Sequence, residues 1–126
     1  MKPPPPPGPP DVDDLRDLIE QWAEFAADLQ RNGYGFDLDN WLNDVDVREL
    51  ILEALPMFDR EELGELALRL DAADQTFLDG TREFKRCVWG SRTARKEKWT
   101  AQKNWWYFRT PVRSNTDLED DLRKVR

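Results

Sequence analysis

The densest group of side chains able to do chemistry is a run of carboxylates around a single tryptophan. Four aspartates fall within ten residues, directly after two other aromatic residues. A group of this kind can bind a metal ion, supply an acid and a base for hydrolysis, or recognise a basic protein. Its members are Tyr34, Phe36, Asp37, Asp39, Trp41, Asp44 and Asp46.

A calcium-binding EF-hand loop is the first metal site to test. A loop that began at Asp37 would need an oxygen ligand at its fifth position, a glycine at its sixth and an acid at its twelfth. The sequence has Trp41, Leu42 and Arg48 at those positions. Because helix capping accounts for the aspartates, an opportunistic Mg²⁺ or Ca²⁺ site is only the minor alternative, and we predict no metal and no cofactor.

Catalysis is not indicated by any other constellation of residues. The chain has no histidine and one cysteine, Cys87, so the commonest general base and the commonest zinc ligand are both missing. The spacing of the aspartates singles out no acid and base, and no glycine-rich phosphate loop or nucleophile elbow is present. We expect Cys87 to be a structural thiol, and we predict no catalytic residue and no enzymatic activity.

Recognition of a basic protein is the function that the carboxylate run favours. An aromatic anchor beside a rim of acids suits a basic partner. The predicted partner-binding residues are Tyr34, Asp37, Asp39, Trp41, Asp44 and Asp46. The alternative left open is that Trp41 is buried in the core and the aspartates only cap helices.

The second half of the chain favours a different partner. Residues 81–113 hold ten basic and two acidic side chains, a net charge of +8, together with four of the six tryptophans. Bases interleaved with aromatic rings are typical of surfaces that bind single-stranded nucleic acid. The residues for this alternative are Arg92, Arg95, Lys96, Lys98, Trp99, Trp105 and Trp106.

A structural explanation of the same segment competes with nucleic-acid binding. The aromatic rings could complete the core while the long stems of Arg and Lys cover its edge. Residues 11–80 carry 20 acidic side chains and five arginines, a net charge of −15, which would repel a polyanion. We therefore favour the structural explanation and keep nucleic acid as the second candidate.

Helical periodicity accounts for most of the first eighty residues. Apolar residues from Val12 to Leu29 follow the three-and-four spacing of one helical face, with aspartates at the start and Asn32 and Gly33 at the end. A second apolar set, starting at Leu38, changes phase after Val45. Because the change indicates a break, we predict a short helix, then a longer one that is capped by Asp46 and Glu49 and stops before Pro56.

A fourth helix is predicted from Asp59, which forms a capping pattern with Glu62, to about residue 80. Short connections between such helices imply a small antiparallel bundle, so the fold class is mainly α with about four helices. The aromatic and basic C-terminal segment allows a short β-hairpin between residues 87–89 and 105–108, or a helix through residues 81–88. Residues 115–117 offer caps for a short C-terminal helix.

The chain length of 126 residues predicts one domain. Residues 1–10 contain seven prolines and are expected to be a disordered tail or spacer, and residues 11–126 to be a single mainly helical domain. The tail satisfies the Pro-x-x-P pattern, as any proline run does, without flanking specificity residues. With no secretory signal, no membrane span and a single cysteine, we expect a cytoplasmic protein; its oligomeric state is left open.

Three segments, residues 39–50, 86–90 and 104–109, carry a resemblance to known proteins. Together they resemble a group of small uncharacterised bacterial proteins that are similar in size and acidity to immunity proteins of polymorphic toxin systems. The resemblance implies an immunity protein or antitoxin that neutralises a basic toxin partner. It implies no catalytic or partner-contacting residue in this sequence.

Overall fold

Six α-helices and two short β-strands make up the computed structural model, which describes residues 10–126. The prediction of a mainly α fold, with a helical bundle and a small antiparallel pair of strands, is confirmed. The predicted proline-rich tail, residues 1–10, lies outside the described part except for Pro10. The elements are α1 (Val12–Asn32), α2 (Leu38–Ala54), α3 (Arg60–Leu63), α4 (Glu65–Asp79), β1 (Thr81–Glu83), α5 (Ser91–Glu97), β2 (Arg109–Pro111) and α6 (Thr116–Arg123), with 3₁₀ turns at Leu55–Met57 and Trp105–Phe108.

Helix α1 begins and ends where its sequence predicts. The Asp11 side chain accepts a hydrogen bond from the Asp14 amide, and the Asp14 side chain accepts one from the Asp11 amide. At the other end the Gly33 amide donates to the Leu29 carbonyl, with Gly33 at φ +75° and ψ −165°. An L side chain rarely adopts that conformation, so a glycine ends the helix at this point.

Helix α2 runs without a break from Leu38 to Ala54, so the predicted break at Asp46 is wrong. The phase of the apolar pattern changes because α2 is buried on more than one side. Trp41 and Val45 lie in the core, and so do Val47 and Ile51 farther along the helix. The side chain of Asp46 caps nothing and bonds to residues far along the chain.

The predicted fourth helix is also divided differently. Asp59 and Glu62 form the expected capping box, but α3 ends after one turn at Gly64, which has φ +50°, and α4 starts at the next residue. Because a residue in the left-handed region cannot continue an α-helix, one predicted helix becomes two.

Successive long helices of the bundle run in opposite directions. Phe25 of α1 lies against Trp41 of α2, with ring centroids 5.7 Å apart, and Trp41 stacks on Phe77 of α4 at 6.0 Å. Helices α1 and α4 run in the same direction, since Glu20 pairs with Arg69 and Trp22 with Asp74. The result is an up-down-up arrangement around an aromatic core.

A buried ion pair ties the three long helices together. The Arg48 guanidinium donates to both carboxylate oxygens of Asp74, at 2.9 and 3.0 Å, and Asp74 also accepts from the indole N–H of Trp22 at 2.9 Å. The guanidinium carbon lies 4.7 Å from the ring centroid of Trp106 and 5.7 Å from that of Trp105. The charge of Arg48 is thus paired on one side and covered by indole rings on the other.

The C-terminal segment covers α2 and joins the bundle through a two-stranded sheet. Strands β1 and β2 are antiparallel, with Thr81 opposite Pro111 and Glu83 opposite Arg109. The strands therefore lie outside the predicted segments 87–89 and 105–108, and helix through residues 81–88 is also wrong. The aromatic run folds as a 3₁₀ turn because its rings face into the core, whereas the predicted C-terminal helix, α6, is capped by Asn115 as expected.

Candidate functional site

The predicted partner-binding residues do not form one surface. Trp41 is fully buried, and Tyr34 is buried beside it with ring centroids 4.9 Å apart. Trp41 is therefore not available as an exposed anchor, because its ring fills the space between α1, α2 and α4. The alternative that the sequence left open, a core tryptophan among capping acids, describes Trp41 in the structure.

Asp44 lies beside Tyr34. Its carboxylate accepts a hydrogen bond from the Tyr34 hydroxyl at 2.6 Å. Burial raises the pKa of Asp44, while the bond from Tyr34 opposes that change. Burial and the neighbouring Asp44 carboxylate raise the pKa of Tyr34, so the phenol keeps its proton as a donor.

The remaining predicted aspartates lie in two different places. Asp37 caps α2 by accepting from the Asn40 amide at 3.1 Å, and Asp39 is exposed in the first turn of the same helix. Asp46 follows Asp44 by two residues, which is about 200° around a helix of 3.6 residues per turn. Asp46 thus faces the opposite side of α2, toward the C-terminal segment.

The residues of the nucleic-acid alternative separate in a similar way. Arg92, Arg95, Lys96 and Lys98 are exposed on α5 and at its end. Trp106 is buried in the core, and Trp105 meets it edge-on at 5.2 Å. The interleaved sequence therefore places its bases outward, buries Trp106 and leaves Trp99 and Trp105 lining different grooves.

A groove between α2 and α5 brings acids and aromatic rings together. Its volume is about 470 Å³. One wall is the face of α2 that carries residues 46, 49 and 50, and the opposite wall is the face of α5 that carries residues 93 and 97. We call it the acid–aromatic groove, and it is lined by Asp46, Glu49, Leu50, Trp89, Thr93, Glu97, Trp99 and Tyr107.

Asp46 positions two of the aromatic side chains. One of its oxygens, Oδ1, accepts from the Tyr107 hydroxyl at 2.7 Å and from the Trp89 indole N–H at 3.2 Å. Tyr107 is buried and forms the floor of the groove, and burial with the adjacent Asp46 carboxylate raises its pKa. The phenol therefore stays a donor, and Asp46 keeps its second oxygen, Oδ2, for another partner.

Glu49 is held by a buried asparagine. The side-chain nitrogen of Asn104, Nδ2, donates to Glu49 Oε1 at 2.8 Å. The side-chain oxygen of Asn104, Oδ1, accepts from the backbone N–H of Thr100 at 3.1 Å. Burial raises the pKa of Glu49, and the nearby carboxylates of Glu53 and Asp46 raise it further. The bond from Asn104 and the charge of Lys103 oppose the change. Glu49 is thus a carboxylate that would gain from a cation in the groove.

The turn that ends α5 positions Trp99 in the groove. Lys98 lies in the left-handed region at φ +63°, and the Trp99 amide donates back to the Ala94 carbonyl at 2.9 Å. This turn is the usual way to end a helix, though glycine is the common residue at the position of Lys98. It stacks the Trp99 ring on Tyr107, with centroids 4.2 Å apart.

Trp99 also lines a second groove of opposite charge. This basic groove, about 490 Å³ in volume, runs along the other side of α5. Its charged residues are Lys85, Arg86, Arg95 and Lys98. Two residues of the nucleic-acid alternative, Arg95 and Lys98, therefore share a groove with Trp99.

Six residues of the acid–aromatic groove were not predicted from sequence as site residues. Asp46 and Glu49 did attract attention through their spacing of three, but the spacing was interpreted as a helix cap. On a continuous helix the same spacing places both carboxylates on one face. The missed residues are Glu49, Leu50, Trp89, Thr93, Glu97 and Tyr107.

Three further findings concern metal ligands, membrane spans and the cysteine. Within residues 10–126, no three side chains of the His, Cys, Asp or Glu types converge on a common point where they could hold a metal ion. None of the helices in the described part of the chain combines the length and the apolar composition that crossing a bilayer requires. Cys87 is 1% exposed, and burial raises the pKa of its thiol, so it does not act as a surface thiolate.

Comparison with protein families, with curated proteins and with solved structures finds no match to this chain. The proposed function therefore depends on the residues of the groove.

Proposed function

We propose that the chain is a non-enzymatic protein-binding domain whose acid–aromatic groove receives an arginine or lysine side chain of a basic partner. The observation that carries the proposal is the composition of the groove. Three carboxylates and three aromatic rings line it, and no basic side chain of the described residues does. Asp46 is the residue that this site shares with the partner-binding set predicted from the sequence.

The carboxylates of the groove have unused capacity for a cation. Within residues 10–126, Asp46 Oδ2, Glu49 Oε2 and the Glu97 carboxylate accept no hydrogen bond, and no basic side chain forms a salt bridge with any of the three residues. A guanidinium carries five donors in a planar fork and can bond two carboxylate oxygens at once. The groove therefore favours a cation, and arginine over lysine.

The aromatic and apolar lining suits the rest of a basic side chain. Trp89 is 37% exposed and Leu50 is 50% exposed, so both present apolar surface in the groove. The methylene stem of arginine or lysine can pack on them while the charged group reaches the carboxylates. Aromatic rings add cation–π attraction to the same group.

The biological role that agrees with this site is inhibition of a basic protein. An immunity protein or antitoxin that occludes a basic toxin would use charge complementarity in the same way, and the acidic bundle would speed the encounter. We propose a partner of this class in the cytoplasm, the location that the single, buried cysteine favours.

Calorimetry with a matched pair of peptides tests the groove. An arginine-containing peptide is titrated into the chain beside the same peptide with neutral citrulline in place of arginine. We expect the arginine peptide to bind and the citrulline peptide not to bind. The Asp46→Asn, Glu49→Gln variant should bind the arginine peptide with about 5- to 30-fold lower affinity, because a lost interaction of 1 to 2 kcal/mol has that effect. Both substitutions keep the oxygen that Tyr107 and Asn104 use.

The control removes two charges elsewhere. Asp39→Asn with Glu61→Gln lowers the negative charge by the same amount on exposed residues outside the groove. Its affinity should equal that of the unchanged chain. Equal weakening in both variants would mean that net charge, and not the groove, attracts the peptide, and equal binding of the citrulline peptide would also contradict the proposal.

Nucleic acid remains the second candidate, and the basic groove is the observation that favours it. A single-stranded oligonucleotide would bind through Arg95 and Lys98 with Trp99 alongside. Its signature is an affinity that falls steeply as salt is raised and that drops with Arg95→Gln and Lys98→Gln. Salt-insensitive binding, or binding that both variants retain, would reject this candidate.

A further inference from the structure

A row of acidic and apolar side chains continues along α2 beyond the acid–aromatic groove. Asp46, Leu50 and Glu53 lie within about 60° of one another at 3.6 residues per turn, and Met57 follows in the 3₁₀ turn that extends the helix. We call these four residues the α2 row. We propose that it docks an amphipathic helix of the basic partner, in which basic residues seven positions apart alternate with apolar ones. The proposal rests on the proposed function, because it describes the partner segment whose basic side chain enters the groove.

The apolar members of the α2 row are exposed to solvent. Leu50 is 50% exposed and Met57 is 56% exposed. The two residues are seven positions apart, so they lie about 10 Å apart along one side of the helix. Apolar side chains at this spacing are the ones that a second helix buries when two helices pack side by side.

The acidic members of the α2 row have the same spacing. Asp46 and Glu53 are seven positions apart, and within residues 10–126 neither forms a salt bridge. The charge of Glu53 contributes to the raised pKa of Glu49, and Lys103 opposes this change without a salt bridge to any of these acids. Basic side chains of a partner helix would therefore meet negative charge that the described residues leave unpaired.

The spacing of the α2 row favours a helical partner segment over an extended one. In an extended segment, the side chains of one face recur at about 7 and 13 Å, and neither distance matches the repeat of about 10 Å on α2. A helix that packs nearly parallel to α2 has the same repeat of about 10 Å at every seventh residue. Each basic residue of such a helix can face an acid, and each apolar residue can face Leu50 or Met57.

Asp46 joins the α2 row to the acid–aromatic groove. It lines the groove and also begins the row, so the basic residue that faces Asp46 is the one that enters the groove. From Asp46 to Met57 the row is about 17 Å long, or roughly three helical turns. The partner segment is therefore a helix of about three turns or more, with a basic residue near one end of its contact.

Two stapled helical peptides of equal composition test the proposal on the full chain. In the one-face peptide, arginines seven positions apart and leucines seven positions apart share one face, with the staple on the opposite face. In its isomer the same residues are distributed around the helix. We expect the one-face peptide to bind about 10-fold more tightly or better in fluorescence anisotropy, because only this peptide meets the acidic and the apolar members of the row together.

Substitutions in the row but outside the groove locate the bound helix. Met57→Ser should weaken binding of the one-face peptide about 3- to 10-fold, and Glu53→Gln about 2- to 5-fold. Leu68→Ser and Glu24→Gln are the matched controls, since Leu68 is 70% exposed on α4 and Glu24 is exposed on α1. Both controls should bind the peptide as tightly as the unchanged chain does.

The failure of this inference differs from the failure of the proposed function. Equal affinity of the two stapled peptides would overturn the docked helix, and so would undiminished binding of the one-face peptide by both Met57→Ser and Glu53→Gln. If the arginine-containing peptide of the calorimetry still binds in either case, the groove stands and only the helix proposal is wrong. If none of the peptides binds, the proposed function is wrong and the docked helix falls with it. We expect Met57→Ser to weaken the one-face peptide and to leave the affinity of the arginine-containing peptide unchanged.

Discussion

At the scale of the residue, the proposed function depends on two carboxylates, those of Asp46 and Glu49. Each uses one oxygen to hold a neighbour, Tyr107 or Asn104, and keeps the other free of donors from the described residues. The bonded oxygen fixes the orientation of the group, so the free oxygen points to a defined place. Removal of the charge should therefore affect binding without loosening the groove.

Glu49→Gln should raise the stability of the fold at pH 7. The pKa of Glu49 is raised in the folded state, chiefly by burial, so its charged form costs stability at neutral pH. That cost disappears as the pH falls through the raised pKa toward the ordinary carboxylate range. Urea denaturation at pH 7 and pH 4 should show a stabilised variant at pH 7 and a smaller difference at pH 4.

Glu61→Gln, an exposed residue at the start of α3, is the control for this comparison. A Glu49→Gln variant that is less stable than the original chain at pH 7 would show that Glu49 serves the fold rather than a ligand.

The buried pair of Arg48 and Asp74 predicts a different pattern of stability. Asp74→Asn should cost about 3 kcal/mol or more, because it leaves the guanidinium in the core without a counter-charge. Adding Arg48→Met to that variant should restore part of the loss, since methionine removes the uncompensated charge. Urea unfolding of both variants and of Arg48→Met alone gives the coupling energy; strictly additive losses would contradict the prediction.

At the scale of the element, local signals were predictable from the sequence and contacts between distant segments were not. The predicted caps at Asp59 and Asn115 depend on residues within three positions, and both are found. The continuity of α2 depends on burial by segments far along the chain, so its changed apolar phase resembled a break. The strands were misplaced for the same reason, because long-range packing draws the aromatic run into the core.

A glycine at the end of α1 provides a test at this scale. Gly33→Ala should lower the free energy of unfolding by about 2 kcal/mol or more, because its conformation is nearly exclusive to glycine. A Cβ there would also lie 2.9 Å from the Arg113 carbonyl oxygen. Gly35→Ala is the matched control, since a Cβ at residue 35 meets nothing within 4 Å. Equal thermal denaturation midpoints for the two variants would contradict the structure of this turn.

At the scale of the whole molecule, the acid–aromatic groove is built from both halves of the sequence. The acidic first half contributes Asp46 and Glu49 to the groove, and the basic second half contributes Trp89, Trp99 and Glu97. Charge counts along the chain predicted an acidic surface for a basic partner, and that remains a prediction. The location of the site could not be predicted, because it forms only where α5 meets α2.

Trp41 and Trp89 illustrate the limit of the sequence for the site. Both lie among charged residues, yet Trp41 is fully buried and Trp89 is 37% exposed. Burial depends on which elements pack over a ring, and a single sequence does not state that. Residue type and nearby acids therefore indicated Trp41 as an exposed anchor, whereas the exposed ring is that of Trp89; the basic partner itself stays a prediction.

The measurement that tests the central claim most directly is titration of the ¹⁵N-labelled chain with the arginine-containing peptide, followed through its six indole N–H signals. We expect the signals of Trp89 and Trp99 to shift together along one binding curve, while those of Trp22, Trp41, Trp105 and Trp106 stay in place. Shifts spread over all six tryptophans, or a response confined to residues outside the acid–aromatic groove, would contradict the claim that this groove receives the basic side chain.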